Sequence, residues 1–220
     1  MPTPSPATGR SGGPRAEVWL LRHPEVRADW SGRAYGNLDV PLSEQGLLAA
    51  REVGAWYGGL GCAGVVSSPL VRARTLAEAV ASAAGLPLEL EPALRELDRG
   101  RWQGRERAEL ERDESAAVRA YHADPWGFRG HAGETDADLH ARAWPVLERA
   151  ALRARAHPVV LVTHYNVARV LAAAALGIPP ARSFALRLDP ARGILLARST
   201  HGWALSRANV VDPRPLAAPL

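Results

Sequence analysis

At 220 residues, with 47% hydrophobic and 23% charged side chains, the chain is long enough to bury a sizeable core in one α/β domain. Its formal charge of +4 comes from 27 basic residues, all arginine, scattered among 23 acidic ones, which argues against a dedicated nucleic-acid surface. The longest apolar-rich stretch, Val170 to Ile178, is too short to cross a bilayer, and residues 1–15 lack the apolar run of a signal peptide. A single cysteine, Cys62, allows no internal disulfide and fits a reducing compartment, so a cytoplasmic protein is expected.

Residues 1–15 and 213–220 are rich in small residues and proline and are expected to be tails around a domain over 16–212. Within it, Glu17 to Leu21 predicts a strand, and Ser43 to Tyr57 a helix with Ser43 as N-cap. Gly64 to Ser67 is the next strand. Pro69 to Ala84 predicts a helix with Pro69 in its first turn and Gly85 at its end, followed by a short strand at Leu88 to Leu90. Residues 92–130, charged and rich in Trp and Gly, predict a less regular, lid-like insertion. Thr135 then caps a helix to about Ala154, Val159 to Thr163 is a β-branched strand, and Tyr165 to Leu176 is an Ala-rich helix closed by Gly177. Phe184 to Leu188, Gly193 to Ser199 and Trp203 to Ser206 read as further strands. Strands alternating with helices predict a three-layer α/β/α fold with a mostly parallel central sheet.

In such sheets ligands bind beyond the carboxyl ends of the strands. One strand runs into Arg22 and His23, another into Ser67 and Ser68 with Arg72 a turn further on, and a third into Thr163 and His164. Arg offers a planar fork of donors to phosphate oxygens, and the helix starting at Tyr165 turns its positive end toward the same spot. Beside arginines an imidazole loses affinity for its proton, which leaves His23 a neutral nucleophile. Two His and two Arg from three strand ends describe an anion site.

Five segments in order strengthen that reading: LLRHPE at 20–25, YGNLDVPLSEQG at 35–46, SSPLVRARTLAEAVA at 67–81, LRELDRGRWQGR at 94–105 and VTHYNVARVL at 162–171. AGETDADLHAR at 132–142 lies between the last two. Together they resemble the histidine phosphatase (phosphoglycerate mutase-like) superfamily over about residues 17–200. The resemblance implies that His23 is phosphorylated as nucleophile, that Arg22 and Arg72 hold the phosphate, and that His164 donates to the phosphoryl group. It also implies that Glu96 protonates the leaving oxygen and later acts as base for water. No metal and no cofactor are required, since arginine and histidine carry the charge that phosphoryl transfer develops. The RHP opening and short chain are most similar to α-ribazole-phosphate phosphatase and related small phosphomonoesterases, which favours hydrolysis over mutase chemistry.

Three departures from the family pattern stand near the nucleophile: Pro24, Val26 and Asp29 replace residues that commonly include phosphate contacts. Asp29 is expected to point away from the anion, and Tyr165, where many relatives have Gly, to narrow the pocket. Ser43 and Glu44 read as helix-start residues. Trp102, Tyr121, Trp126, Phe128 and His131 of the insertion are candidate lid residues, with ordinary core packing as the competing reading. A small phosphorylated substrate, α-ribazole phosphate among the candidates, is the expected partner; nucleic acid and membrane are not, and a homodimer is allowed. The competing functions are a non-catalytic phosphate-binding module, a phosphoglycerate mutase-type phosphotransferase, and a metal site at Asp136, Asp138 and His140. The last is disfavoured because positions i, i+2 and i+4 do not share one helix face.

Overall fold

A computed structural model describes residues 15–214. Of the tails expected at 1–15 and 213–220, residues 1–14 and 215–220 lie outside the described residues. Six strands, β1 (Ala16–Arg22), β2 (Gly64–Ser67), β3 (Leu88–Leu90), β4 (Val159–Thr163), β5 (Gly193–Ser199) and β6 (Gly202–Val210), form one sheet in the order β3-β2-β4-β1-β5-β6. The first four run parallel, and β5 and β6 are antiparallel at one edge.

The layers follow from alternation along the strands. In β1, Val18 and Leu20 point to one face and Trp19 and Leu21 to the other; in β4, Val159 and Leu161 oppose Val160 and Val162. Two hydrophobic faces per strand need two helical layers. Helices α1 (Glu44–Gly58) and α2 (Val71–Ala84) cover the Trp19 face. Helices α5 (Asp136–Arg153) and α6 (Tyr165–Leu176) cover the Leu20 face. The short helices α3 (Arg107–Asp113) and α4 (Ser115–Ala123) belong to the insertion, which packs its own small core around Trp102, Leu110, Val118 and Tyr121.

The parallel register aligns three strand ends. Arg22 lies opposite Thr163 and Ser67 opposite Val162, while the His23 amide donates to the Thr163 carbonyl and the Ser68 amide to the Val162 carbonyl, each at 3.0 Å. His23, Ser68 and His164 therefore leave the sheet along one rim.

Helix caps agree with the expectations at Ser43, whose hydroxyl accepts from the Gly46 amide, and at Gly85, Thr135 and Gly177. Two expectations fail. Pro69 precedes α2, which begins after Leu70; the first free amide there, that of Val71, donates instead to the Asp39 carboxylate at 2.7 Å. Phe184 to Leu188 is no strand, since Pro180–Ala185 forms a 3-10 turn. The alternation in FALRL mimics a strand, but Ser183 is buried and bonded within the turn to the Pro180 carbonyl.

Candidate active site

His23 and His164 face each other at the rim with ring centroids 5.2 Å apart, and both are buried. Hydrogen bonds orient both rings, and that of His23 fixes its tautomer. Nδ1 of His23 lies 2.7 Å from the Pro24 carbonyl, an acceptor only, so that nitrogen carries the proton and Nε2 keeps a bare lone pair. The departure at Pro24 thus costs an amide donor but keeps the carbonyl that orients the ring. Nε2 of His164 lies 2.8 Å from the Ser68 hydroxyl, whose oxygen already accepts from the Leu70 amide. With that hydroxyl donating to Nε2, Nδ1 of His164 carries the hydrogen and is free to donate.

Burial, and after it the charge of Arg72 and Arg22, lowers the His23 pKa well below its ordinary value. His164 is lowered in the same direction by burial, Arg72 and His23. At neutral pH both rings are neutral, one as lone-pair donor and the other as hydrogen donor.

The arginines are fixed by backbone. Arg22 donates to the Leu188 carbonyl at 2.7 Å and lies over the Tyr165 ring. Arg72, fully buried in α2, donates to the Leu38 and Gly36 carbonyls at 2.6 and 2.7 Å, with its guanidinium over Tyr35. Three buried donors beside His23 have no partner among the described residues: Nε of Arg22, Nε of Arg72 and Nδ1 of His164. An unpaired buried donor costs on the order of 1–3 kcal/mol, so three together define a place for an acceptor.

Glu96 is buried in the loop between β3 and α5, which is tied to the rim because the Thr163 hydroxyl donates to the Leu94 carbonyl. Its carboxylate accepts from the Leu97 amide at 2.7 Å and from the Asn166 amide at 3.3 Å. One amide at the α6 terminus, expected to face the anion freely, is thereby turned to Glu96. Arg142 of α5 braces this loop, donating to the Ala93 and Glu96 carbonyls while paired with Glu134.

A cavity of about 420 Å³ is lined by Arg22, His23, Glu96 and Tyr165, four of the six residues expected from sequence. Arg72 and His164 lie beneath its floor, near enough that Arg72 lowers the pKa of both histidines. Asp29 does point away: it is exposed and paired with Arg27 at 2.8 Å. Val26 bridges Leu42. Of the five insertion candidates, Trp102 and Tyr121 line the cavity, whereas Phe128 and His131 pack behind Trp102 and Trp126 lies tilted against His140 on another surface. Asp136, Asp138 and His140 do not converge: Asp136 pairs with Arg169, Asp138 completes the capping box with Thr135, and His140 stacks on Trp144. Ser68 was legible only as a strand end and not as the partner of His164, while Arg142, Glu134 and Asn166 carry no local mark that distinguishes a brace from a solvated polar side chain.

Residues 18–211 match the model of the histidine phosphatase superfamily (branch 1). The chain belongs to that superfamily. It is 30% identical over 205 residues, 89% of its length and 94% of the relative's, to the "Probable phosphoglycerate mutase GpmB" of Erwinia tasmaniensis. It is 32% identical over 170 residues to the glucosyl-3-phosphoglycerate phosphatase of Mycobacterium tuberculosis, covering 74% of this chain and 76% of that one. A solved mycobacterial glucosyl-3-phosphoglycerate phosphatase complexed with VO3 superposes with a TM-score of 0.81 at 29% identity, covering 89% of this chain and 99% of that one. The α-ribazole phosphatase of Shigella flexneri, at 24% identity and a TM-score of 0.76, shares the fold. The relatives carry both phosphatase and mutase names, and no helix among the described residues is long and apolar enough to cross a membrane.

Proposed function

We propose that the protein is a metal-independent phosphomonoesterase that works through a phosphohistidine on His23. The observation that carries this reading is the bare Nε2 of His23 beside three unpaired buried donors. A phosphate monoester seated on Arg22, Arg72 and the His164 Nδ1–H presents its phosphorus to Nε2. The N–P bond forms as the P–O ester bond breaks, and the proton on Glu96 passes to the leaving oxygen. Glu96, now a carboxylate, takes a proton from water as that water attacks phosphorus; the N–P bond breaks, and phosphate leaves with His23 neutral again. Charge gathering on the equatorial oxygens is met by fixed donors, as loose phosphoryl-transfer transition states require.

The substrate is a small phosphorylated metabolite, with residues 92–130 as the wall that selects it. α-Ribazole phosphate, favoured by the RHP opening, has support from fold alone, while the relatives of higher identity carry glucosyl-3-phosphoglycerate phosphatase and phosphoglycerate mutase names. Hydrolysis is favoured over phosphotransfer by the likeness of the RHP opening to small phosphomonoesterases. Cys62, the single thiol, supports a reducing, cytoplasmic setting.

The test is hydrolysis of p-nitrophenyl phosphate with EDTA present, for the wild type and His23→Ala. Activity that survives EDTA and falls by at least about 10⁴-fold in the variant is the expected result. Loss of activity with EDTA would indicate a metal. Inactivity of both proteins toward a panel of phosphomonoesters would leave a binding module, and phosphate appearing on an added acceptor alcohol rather than in water would indicate a phosphotransferase.

A further inference from the structure

Glu134 and Arg142, both in the segment 132–142, meet behind the loop that carries Glu96, outside the lining of the 420 Å³ cavity. The Arg142 guanidinium donates to the two Glu134 carboxylate oxygens at 2.7 and 2.8 Å. Its remaining hydrogens go to the Ala93 carbonyl at 2.5 Å and the Glu96 carbonyl at 3.3 Å. Glu134 extends the grip past the acid: its carboxylate accepts from the Asp98 amide and its own amide donates to the Asp98 carbonyl, each at 3.0 Å. One ion pair thus fixes the backbone at Glu96 and on either side of it. The sheet ties the loop earlier, through the Glu91 amide to the Ser67 carbonyl at 2.8 Å and the Thr163 hydroxyl to the Leu94 carbonyl at 2.9 Å. Beyond Glu96 the two segments lie backbone against backbone, since a Cβ on Gly133 would stand 2.3 Å from the Asp98 carbonyl oxygen.

We infer that Arg142 and Glu134 are positioning residues for proton transfer by Glu96: they hold its carboxyl within reach of the ester oxygen, and their loss falls on protonation of the leaving group rather than on phosphate binding. This rests on the phosphatase reading and deepens it. A proton passes over a heavy-atom separation of about 2.6–3.2 Å, and a displacement of about 1 Å costs roughly 10²-fold. The phosphate is met by Arg22, Arg72 and His164, which are anchored on Leu188, on Leu38 and Gly36, and on Ser68. Arginine suits the brace because its fork serves a carboxylate and two carbonyls at once and stays charged at any working pH.

Two esters separate the step. The nitrophenolate of p-nitrophenyl phosphate leaves with little help, whereas the alkoxide of benzyl phosphate leaves only as its proton arrives. Glu96→Gln sets the scale: kcat/KM for benzyl phosphate is expected to fall about 10²–10⁴-fold, and that for p-nitrophenyl phosphate far less. Arg142→Gln and Glu134→Gln are expected to lower the benzyl-to-nitrophenyl ratio by tenfold or more, with the inhibition constant of inorganic phosphate unchanged. Arg142→Lys is expected to recover part of the ratio. Arg142 also adds to the charge that lowers the His164 pKa, after burial, Arg72 and His23, so Glu134→Gln, which keeps that charge, is the cleaner variant. If Arg142→Gln does not fold, Glu134→Gln and Arg142→Lys carry the same comparison. Placed in the Glu96→Gln background, Glu134→Gln is expected to leave the ratio where it stood, because the acid it positions is already gone. A brace of purely structural worth lowers both esters together, or lowers the ratio further in that background; either result overturns the inference and keeps the phosphatase. Equal losses for the two esters in Glu96→Gln would overturn Glu96 as the acid, and no turnover of either ester by the wild type would overturn the phosphatase itself.

Discussion

The sheet rim and the insertion wall face one another across a single cavity, yet they are held by different forces. At the rim, His23, Ser68 and His164 follow directly from strands whose backbone ladder sets their positions, and the arginines are locked on carbonyls. The loop leaving His23 is held as closely: a Cβ on Gly46 would sit 2.2 Å from the Glu25 carbonyl oxygen, so only glycine lets α1 start beneath it. The insertion is held by a short bridge instead of a sheet: the Ala34 amide donates to the Arg105 carbonyl, the Gly104 amide to the Ala34 carbonyl and the Arg107 amide to the Gly32 carbonyl. Behind its wall one buried guanidinium, Arg169, links Tyr121 of the insertion to Asp136 at the start of α5, Ser183 in the turn after α6 and Asn166. The difference teaches that the two histidines sit on the sheet itself, while the facing wall hangs on a short bridge and a few side-chain contacts and has more freedom to vary.

Substitutions can break that contrast from either side. The largest effect on stability is expected behind the wall: Asp136→Ala leaves the Arg169 charge buried and unpaired, which costs about 3–5 kcal/mol. Chemical denaturation should show that loss, with a double variant Asp136→Leu/Arg169→Met costing less than the sum of the single changes. At the rim the same size of change should act on chemistry instead. Ser68→Ala removes the donor that sets the His164 tautomer, so kcat is expected to fall roughly ten- to a hundredfold with little change in melting temperature. If Ser68→Ala melts the protein, or Asp136→Ala leaves stability untouched, the division between the regions fails.

A smaller and shared effect comes with pH. Burial, and then neighbouring positive charge, lowers the pKa of His23 and His164, and lowers that of His131 from 6.5 to about 4. Below 6.5 the unfolded chain therefore binds protons that the folded one refuses. Their contribution to stability is full above 6.5 and falls as pH drops below it, by up to about 1.4 kcal/mol per pH unit for each histidine, the His131 share being lost down to about 4. Unfolding curves between these limits measure the slope, and His131→Gln, which cannot titrate, should flatten it.

The same contrast explains what could be read from the sequence. Residues at strand ends announce themselves, since a run such as VWLL followed by Arg22 and His23 is a strand terminus by pattern, and parallel pairing then brings three termini together. Residues reached through tertiary contact carry no such mark. Arg169 looks like any polar position on an Ala-rich helix, and Phe184 has the alternation of a strand although Pro179 and Pro180 start a turn there. His131 and Phe128 resemble lid residues in composition, but Gly100, whose added Cβ would lie 2.2 Å from the His131 carbonyl oxygen, lets that segment close down behind Trp102. Local pattern reports backbone periodicity; it does not report which side chains a loop brings back.

Rapid acid-free quenching of the enzyme during turnover of a phosphomonoester, followed by mapping of the phosphorylated residue, tests the central claim most directly. Phosphate is expected on Nε2 of His23, forming and decaying fast enough to account for turnover, and absent from His23→Ala. Steady hydrolysis with no phosphate ever found on His23, or with phosphate carried by another residue, would contradict it.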